Sequence, residues 1–279
     1  MNGHALYIIA VTGWVPIRSK PDSGSELIAV LLYGETAETL AIEGSWVQLL
    51  THNEDYIGWV ERSRIRFLRY DTFQEYIDNP DLVRWPYSSI RIFTADKGRA
   101  LLLPTGAWVR KADDTHFMLE DGTMYPWPSA NPMKKETPAE TAKSFLGTPY
   151  LRGGRTDSGI DAPGLIQLVY QLHDIAFPRS CRQQANVKAF TTDEIQHAEP
   201  NSIIYFNIAG GSLNHNGIYL GEGAVIHAWG SVTIENINPQ KRLDSEYNFN
   251  ERLANSVAGI QPPVTVEDFV IPAGEEVLT

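Results

Sequence analysis

The sequence predicts an α+β domain that follows one or two small β-barrels. Residues 1–70 contain five short β-type runs, about 8–12 residues apart, which are separated by clusters of Gly, Pro, Asn and Asp. A looser copy of this pattern occupies residues 80–130, and from residue 136 two helical patterns precede a series of strands. We therefore expect three units, at residues 1–70, 80–130 and 136–279.

The two N-terminal units differ in how clearly their strands are marked. In the first unit, strands are predicted over residues 5–11, 25–32, 37–43, 46–50 and 56–60. In the second unit, they are predicted over residues 89–93, 99–103, 107–111 and 116–119. The polar residues 71–78 suit either a short helix or a linker. Residues 125–132 contain three prolines, which lack amide donors, so we expect no regular element there and place a domain boundary at this point.

The third unit begins with a helix signal. Thr137 is followed by Pro138 and Glu140, which is the pattern of a capping box and predicts a helix as far as Leu146. Apolar residues recur at helical spacing over residues 163–173 and predict a second helix. Strands are then predicted over residues 203–206, 217–221, 224–228 and 231–236. Helices followed by neighbouring strands favour an α+β domain.

The amino-acid composition argues against several classes of partner and site. The chain has 23 Lys and Arg against 34 Asp and Glu, a net charge of −11, so neither nucleic acid nor an anionic membrane is an expected partner. Its hydrophobic content of 43% is that of a folded protein. Cys181 is the only cysteine, which excludes an internal disulfide and a cysteine-rich zinc site. We expect no metal and no cofactor.

The sequence leaves the cellular compartment open. The apolar run at residues 5–11 is too short to span a membrane and lacks the basic flank of a signal peptide. The chain is therefore either cytoplasmic or a processed form of a secreted or cell-envelope protein. In both cases we expect no membrane insertion.

One stretch of the third unit carries the arrangement of a nucleophilic enzyme. TPYLRGGR (148–155) leads into GIDAPGL (159–165) at the start of the second helix, and HNGIYLG (215–221) and VIHA (225–228) follow on two strands. A helix start stabilises a thiolate through the helix dipole. A histidine on one strand is suited to be its base, and a polar group on the next strand to orient that histidine. The head of this helix, however, carries no nucleophile.

These motifs resemble those of the NlpC/P60 cysteine peptidases, papain-like enzymes that cut bacterial peptidoglycan stem peptides. Their pattern is Tyr-x-Trp-Gly-Gly, Asp-Cys-Ser-Gly at the helix start, His-Val-Gly-Ile-Tyr and Ile-His-Ala. The segment YIGWV (56–60) is typical of the bacterial SH3-like barrels that precede some members. The resemblance implies an α+β fold, with a papain-like NlpC/P60 domain preceded by one or two small SH3-like β-barrels. It also implies a γ-D-glutamyl-L-diamino acid endopeptidase whose ligand is L-Ala-γ-D-Glu-L-diamino acid, with a free or muramyl-linked N-terminus.

The resemblance assigns roles to individual residues. Tyr150 matches the active-site tyrosine, His215 the catalytic base and His227 the third polar residue that orients it. Asp161 would both cap the helix and pair with a free substrate amine. Ala162 stands at the nucleophile position, and a methyl group cannot attack a carbonyl. The resemblance therefore implies a protein that recognises the stem peptide and does not cut it.

Further positions depart from the family pattern. Arg152 replaces the usual Trp, Pro163 the usual Ser, Asn216 the usual Val, and the pair at 201–202 the usual Gly-Asp. Either natural loss of the nucleophilic cysteine or an engineered Cys→Ala change would explain Ala162. The number of other departures from the family pattern favours natural loss. Arg152 and Arg155 are interpreted as a solvated surface pair, with contacts to an acidic peptide as the alternative. Tyr56 is the candidate aromatic side chain that the first barrel would contribute to substrate binding.

Two other hypotheses remain open at this stage. Cys181 would have to act as a displaced nucleophile for the chain to hydrolyse its substrate, although it lies 19 residues after Ala162 and an inert buried cysteine is the simpler interpretation. Alternatively the chain is a scaffold that binds a protein partner through its SH3-like domains. The scaffold hypothesis predicts no peptide-sized cleft between the first barrel and the third unit.

Overall fold

The computed structural model describes residues 6–51, 56–93, 100–192, 195–208, 210 and 212–269. Residues 5 and 99, at which the sequence predicts the beginning of strands, lie outside this part of the chain, as do residues 270–279. Within it, no helix combines the length and the apolar character needed to cross a bilayer.

The first unit folds as a single antiparallel sheet followed by a helix. Its elements are β1 (Tyr7–Ala10), β2 (Trp14–Arg18), β3 (Leu27–Leu32), β4 (Thr36–Glu43), β5 (Trp46–Thr51), β6 (Ile57–Glu61), β7 (Ile65–Leu68) and α1 (Tyr70–Ile77). The strand order is β3-β2-β6-β5-β4-β1-β7. Alternate residues of these strands, including Ile8, Val15, Val47 and Val60, form a buried apolar core. The polar segment 71–78 is thus largely helix rather than linker.

Two strands of this sheet are absent from the sequence prediction. The first of them, β2, contains Pro16, and proline is unfavourable inside a strand because it cannot donate a ladder hydrogen bond. In the structure β2 pairs with β6 only at Arg18 and Trp59, which leaves that side of Pro16 without a ladder partner. The other missed strand, β7, is short and completes the sheet beside β1.

The second unit consists of a four-stranded sheet and a separate hairpin. Its strands are β8 (Leu82–Arg84), β9 (Ile90–Phe93), β10 (Ala100–Leu103), β11 (Trp108–Lys111), β12 (His116–Met118) and β13 (Met124–Pro126). The sheet has the order β13-β12-β11-β8, and β9 pairs with β10. The expectation that residues 125–132 form no regular element is wrong at its N-terminal end. Pro126 is accommodated because β13 is an edge strand, where a missing amide donor costs little.

The third unit is an α+β arrangement. Its elements are α2 (Pro138–Lys143), β14 (Arg155–Thr156), β15 (Gly159–Ile160), α3 (Ala162–Leu172), α4 (Cys181–Ala185), β16 (Ile203–Phe206), β17 (His215–Gly221), β18 (Ala224–Trp229), β19 (Ser231–Asn236), α5 (Glu251–Ala254) and β20 (Val257–Gln261). The sheet has the order β19-β18-β17-β16-β20. Thr137 caps α2 as predicted, accepting a hydrogen bond from the Glu140 amide at 3.3 Å. The helix ends at Lys143, before the predicted Leu146.

Helix α3 is buried on nearly all sides, because it lies between the sheet and the N-terminal units. It packs against β17 and β18 on one side. On the other side Val30 and Leu32 of β3 join the same apolar core as Leu168. The second unit also approaches closely, since a Cβ atom on Gly106 would lie only 2.4 Å from Leu168 Cδ1. The three parts of the chain therefore share one packed interior around this helix.

A buried ion cluster reinforces this junction. The Arg155 guanidinium on β14 pairs with the Glu35 carboxylate of the first unit, and Arg84 Nη1 of the second unit lies 3.0 Å from the same carboxylate. Arg155 is 1% exposed. Its interpretation as half of a solvated surface pair is therefore wrong: Arg155 joins the units in the interior.

Candidate functional site

The head of α3 is held by the Asp161 carboxylate. Asp161 Oδ1 accepts a hydrogen bond from the Gly164 amide at 2.8 Å, which makes it the N-cap of the helix. Asp161 Oδ2 accepts from the Gly153 amide at 2.8 Å and from Arg179 Nη2 at 2.7 Å. Ala162 is the first residue of the helix and is 1% exposed. The structure thus places Ala162, which the motif resemblance assigns to the nucleophile position, on the helix start, next to a carboxylate that several donors fix.

The two histidines predicted from the motifs meet on adjacent strands. His215 Nε2 on β17 lies 3.0 Å from His227 Nδ1 on β18, and the rings are nearly perpendicular. His227 Nε2 lies 3.0 Å from Glu235 Oε2 on β19. Asn250 Nδ2 donates to the same carboxylate oxygen at 2.7 Å. The result is a polar chain from Asn250 through Glu235 and His227 to His215.

The direction of these hydrogen bonds follows from the carboxylate. A carboxylate can only accept, so His227 Nε2 carries the proton that faces Glu235. In this tautomer His227 Nδ1 carries a lone pair, which accepts the proton of His215 Nε2. His215 Nδ1 is left without a proton, and among the described residues it has no hydrogen-bond partner. The arrangement therefore presents His215 Nδ1 as a free base.

Burial keeps this base neutral. The pKa of His215 is lowered to about 3, first because the buried ring loses hydration and second because His227 is adjacent. The pKa of Glu235 is also lowered, mainly by the hydrogen bond from His227. Glu235 and Asn250 were not predicted from the sequence. The alternation of residues along the strands could have indicated Glu235. Thr233 pairs with His227 across the ladder, so Glu235, two residues further on, is the diagonal neighbour of His227 on the same face of the sheet.

We expect the free energy of unfolding to decrease as the pH falls from about 6.5 to 4.5. Over this range an unfolded histidine with a pKa near 6.5 binds a proton that His215 in the folded chain excludes. The maximum slope that one such group contributes is about 1.4 kcal/mol per pH unit. Urea denaturation of the parent chain and of His215→Asn at several pH values measures this. The variant should show a flatter profile, and parallel profiles would contradict the assignment.

A cleft opens beside the head of α3, between the first unit and the third. It has a volume of about 320 Å³, within the range of ligand-binding pockets. Its lining includes three of the predicted binding residues, Tyr56, Arg152 and Asp161. Tyr150 is not part of this lining, but it forms an isolated β-bridge with Ile160, the residue that precedes Asp161 at the head of α3. The histidine pair does not line the cleft either. In the part of the chain that the structure describes, no group of three metal-binding side chains occurs.

Cys181 lies nearer to this site than its sequence position suggests. It lines the same cleft as Asp161 and Pro163, because α4 packs at the head of α3. Gln184 Nε2 of α4 donates to the Pro163 carbonyl at 2.9 Å. Cys181 is 7% exposed, and burial together with the Asp161 charge raises the pKa of its thiol to about 12. The thiol is therefore protonated at neutral pH.

Two of the departures from the family pattern are connected in space. Asn216 Nδ2 donates to Gln184 Oε1 at 2.6 Å, and the same Gln184 side chain binds the Pro163 carbonyl. Asn201 has a φ of 73°, a left-handed conformation that glycine and asparagine tolerate best. An asparagine thus fits the backbone at the position where the family has glycine.

Comparisons with known proteins agree with this architecture. The model of the NlpC/P60 family matches residues 147–248, and the model of the bacterial SH3 domain matches residues 12–66. The chain contains an NlpC/P60 domain and a bacterial SH3 domain. The family prediction made from the motifs is confirmed at this level.

The relatives of this chain include named peptidases. It is 26% identical over 241 residues to a gamma-D-glutamyl-L-lysine dipeptidyl-peptidase of Bacillus cereus, covering 74% of this chain and 68% of the relative. It is 33% identical over 132 residues to a gamma-DL-glutamyl hydrolase of Bacillus subtilis, covering 45% of this chain and 32% of the relative. A crystal structure of an NlpC/P60 family protein from Bacillus cereus superposes with a TM-score of 0.71 at 20% identity, covering 91% of this chain and 98% of that one. The last match shows that the two chains share an overall fold.

Proposed function

We propose that this protein binds peptidoglycan stem peptides of the type L-Ala-γ-D-Glu-L-diamino acid and leaves them uncut. One observation carries the proposal: Ala162 occupies the head of α3, while the histidine pair is assembled on β17 and β18 and a cleft lies beside the head of the helix. The ligand class is supported by relatives named for γ-D-glutamyl-L-lysine and γ-glutamyl substrates. Tyr56, Tyr150, Arg152 and Asp161 are the proposed peptide-binding residues.

The missing step of the parent reaction can be stated in atoms. A cysteine at position 162 would transfer its proton to His215 Nδ1 and attack the γ-glutamyl carbonyl carbon. His227 and Glu235 would stabilise the imidazolium, and amides at the helix start would bind the oxyanion. The Ala162 methyl group has neither a lone pair nor an acidic proton. Removing a catalytic nucleophile costs on the order of 10⁶-fold in rate in a serine protease, so we expect no measurable cleavage.

The domain organisation that accompanies this proposal is the predicted one. We assign residues 1–70 to one SH3-like barrel, 80–130 to a second and divergent one, and 136–279 to the NlpC/P60-type domain. The first barrel would close one side of the peptide site, since Glu26, Leu27, Ile28 and Tyr56 line the cleft from that side.

The two alternative hypotheses have less support. A displaced nucleophile at Cys181 requires a thiolate, whereas burial raises the pKa of this thiol to about 12. The scaffold hypothesis expects no peptide-sized cleft between the first unit and the third, and a cleft of about 320 Å³ lies there. Both observations favour a peptide-binding site without a working nucleophile.

Calorimetry combined with mass spectrometry tests the proposal. The protein is titrated with L-Ala-γ-D-Glu-L-Lys and with the corresponding diaminopimelate peptide, and the mixture is then analysed for cleavage products. We expect saturable heat at millimolar peptide or below and intact peptide after overnight incubation. The absence of heat with both peptides would overturn the binding proposal, and a released dipeptide would overturn the proposed inactivity.

A further inference from the structure

Among the described residues, three aromatic rings contact the His215 imidazole, and one of them reaches solvent. The ring centroids of Phe206 and His227 lie 5.7 and 5.1 Å from that of His215, and both side chains are completely buried. The Trp229 indole at the end of β18 lies 5.5 Å away, perpendicular to the imidazole, and is 50% exposed. Of these three rings, Trp229 is therefore the one whose surface leads a ligand from His215 into solvent.

An arginine of α5 lies against this indole. The Arg252 guanidinium is 5.3 Å from the centroid of the Trp229 ring, a cation–π contact. Arg252 is exposed, and no carboxylate of the described residues lies within ion-pair distance of it. Asn250 holds the start of this helix, because its Oδ1 accepts the Leu253 amide at 2.9 Å. Arg252 thus presents an uncompensated positive charge beside the indole.

Glu235, which lies on the same face of the sheet as His227, is already engaged. Its Oε2 atom lies 3.0 Å from His227 Nε2 and accepts a hydrogen bond from Asn250 Nδ2 at 2.7 Å. A ligand ammonium group near Trp229 would therefore meet the charge of Arg252 and a carboxylate that other donors occupy. A ligand carboxylate would instead meet a guanidinium whose donors are open to it.

We propose that Trp229 and Arg252 form a subsite for the diamino acid of the stem peptide, and that this subsite favours diaminopimelate over lysine. The inference rests on the proposed function, in which His215 would serve the γ-glutamyl amide bond that precedes the diamino acid. The methylene groups of either side chain would pack on the indole. The terminal carbon of diaminopimelate carries a carboxylate beside its ammonium group, and this carboxylate would pair with Arg252. Lysine ends in an ammonium group alone, which the guanidinium repels.

The dimensions of this subsite fit the side chain of the diamino acid better than its main-chain carboxyl group. The indole separates the His215 imidazole from the Arg252 guanidinium by contacts of 5.5 and 5.3 Å. The side chain of diaminopimelate spans roughly 6 Å from its α-carbon to its terminal carboxyl group, which is about the width of an indole. The main-chain carboxyl group is one bond from the α-carbon and would stay near His215.

Two peptides that differ only at the end of one side chain test the proposal. L-Ala-γ-D-Glu-meso-diaminopimelate and L-Ala-γ-D-Glu-L-Lys are both prepared with the main-chain carboxyl group of the last residue as an amide. In calorimetric titrations of the parent chain, we expect the diaminopimelate peptide to bind about three- to tenfold more tightly, as for one partly exposed charge-assisted contact. Equal binding, or tighter binding of the lysine peptide, would overturn this proposal and leave the proposed function standing. Binding of neither peptide would overturn both.

Variants connect the preference to the two side chains. Arg252→Gln should reduce it to less than about twofold, and Arg252→Glu should reverse it in favour of lysine. Trp229→Ala should weaken the binding of both peptides by a similar factor, because it removes the apolar surface that they share, and Trp229→Phe should restore most of the affinity. A preference that persists in Arg252→Gln, or an unchanged affinity of Trp229→Ala for both peptides, would overturn the proposal.

Arg242→Gln is the matched control for the arginine variants. Arg242 is an exposed arginine of the same unit, and its guanidinium lies over a different ring, that of Phe249, at 5.2 Å. The substitution removes one positive charge and one cation–π contact, as Arg252→Gln does, but not at Trp229. We expect it to leave the preference for diaminopimelate unchanged. An equal loss of preference in both variants would mean that net charge and not the subsite sets the specificity, which would overturn the proposal.

Discussion

Replacing Ala162 with Cys is expected to give the chain endopeptidase activity. The new thiol would stand at the first position of α3, where the helix dipole favours a thiolate. His215 Nδ1 is unprotonated and has no hydrogen-bond partner among the described residues, so it is available as the base. We expect cleavage of L-Ala-γ-D-Glu-L-Lys at a rate at least about 10³-fold above the parent chain, below the roughly 10⁶-fold of an optimised site.

Two further substitutions, each made in the Ala162→Cys variant, test whether the activity depends on His215 and not on the native thiol of Cys181. His215→Asn removes the base and should reduce the rate about 10²- to 10⁴-fold. Cys181→Ser removes the native thiol and should leave the rate unchanged, because that thiol is protonated at neutral pH. If Ala162→Cys binds peptide, is folded and still does not cleave, the other departures have rearranged the site. Arg152 and the connected pair of Asn216 and Pro163 would then be the residues to revert first.

Local sequence rules predicted the elements that carry the site. The caps at Thr137 and Asp161 depend on residues within three positions of each other, and both are present in the structure. The histidines were assigned through the resemblance to the NlpC/P60 motifs, and their strands follow one another along the chain and pair directly. In each case the interacting groups are close in sequence or on consecutive strands.

What the sequence did not predict depends on contacts over long separations. Arg179 reaches Asp161 only because the chain returns to the head of α3 after that helix ends. Arg155 was assigned to the surface because nothing near it in sequence indicates Glu35, which lies 120 residues away. Cys181 was placed far from the helix start for the same reason. A charge pattern along a chain does not reveal which side chains the fold will bury together.

Glu35→Gln is expected to destabilise the protein by about 3–5 kcal/mol, the usual cost of leaving a buried charge without its partner. The Glu35 carboxylate compensates two buried guanidinium groups, those of Arg155 and Arg84, and also accepts the Leu32 amide at 2.9 Å. The amide of glutamine has no charge to offer either arginine. Urea denaturation at pH 7 measures the change in the free energy of unfolding.

Glu61→Gln is the matched control, because Glu61 pairs with Arg64 on the surface of the same unit at 3.0 Å. An exposed pair contributes at most about 1 kcal/mol, so the two variants should differ by several-fold in their effect. Adding Arg155→Met to Glu35→Gln should cost less than the sum of the single changes, since one uncompensated charge is then removed. Equal effects of Glu35→Gln and Glu61→Gln on the free energy of unfolding would mean that water reaches the ion cluster around Glu35. In that case apolar packing around α3 alone would hold the first unit against the third.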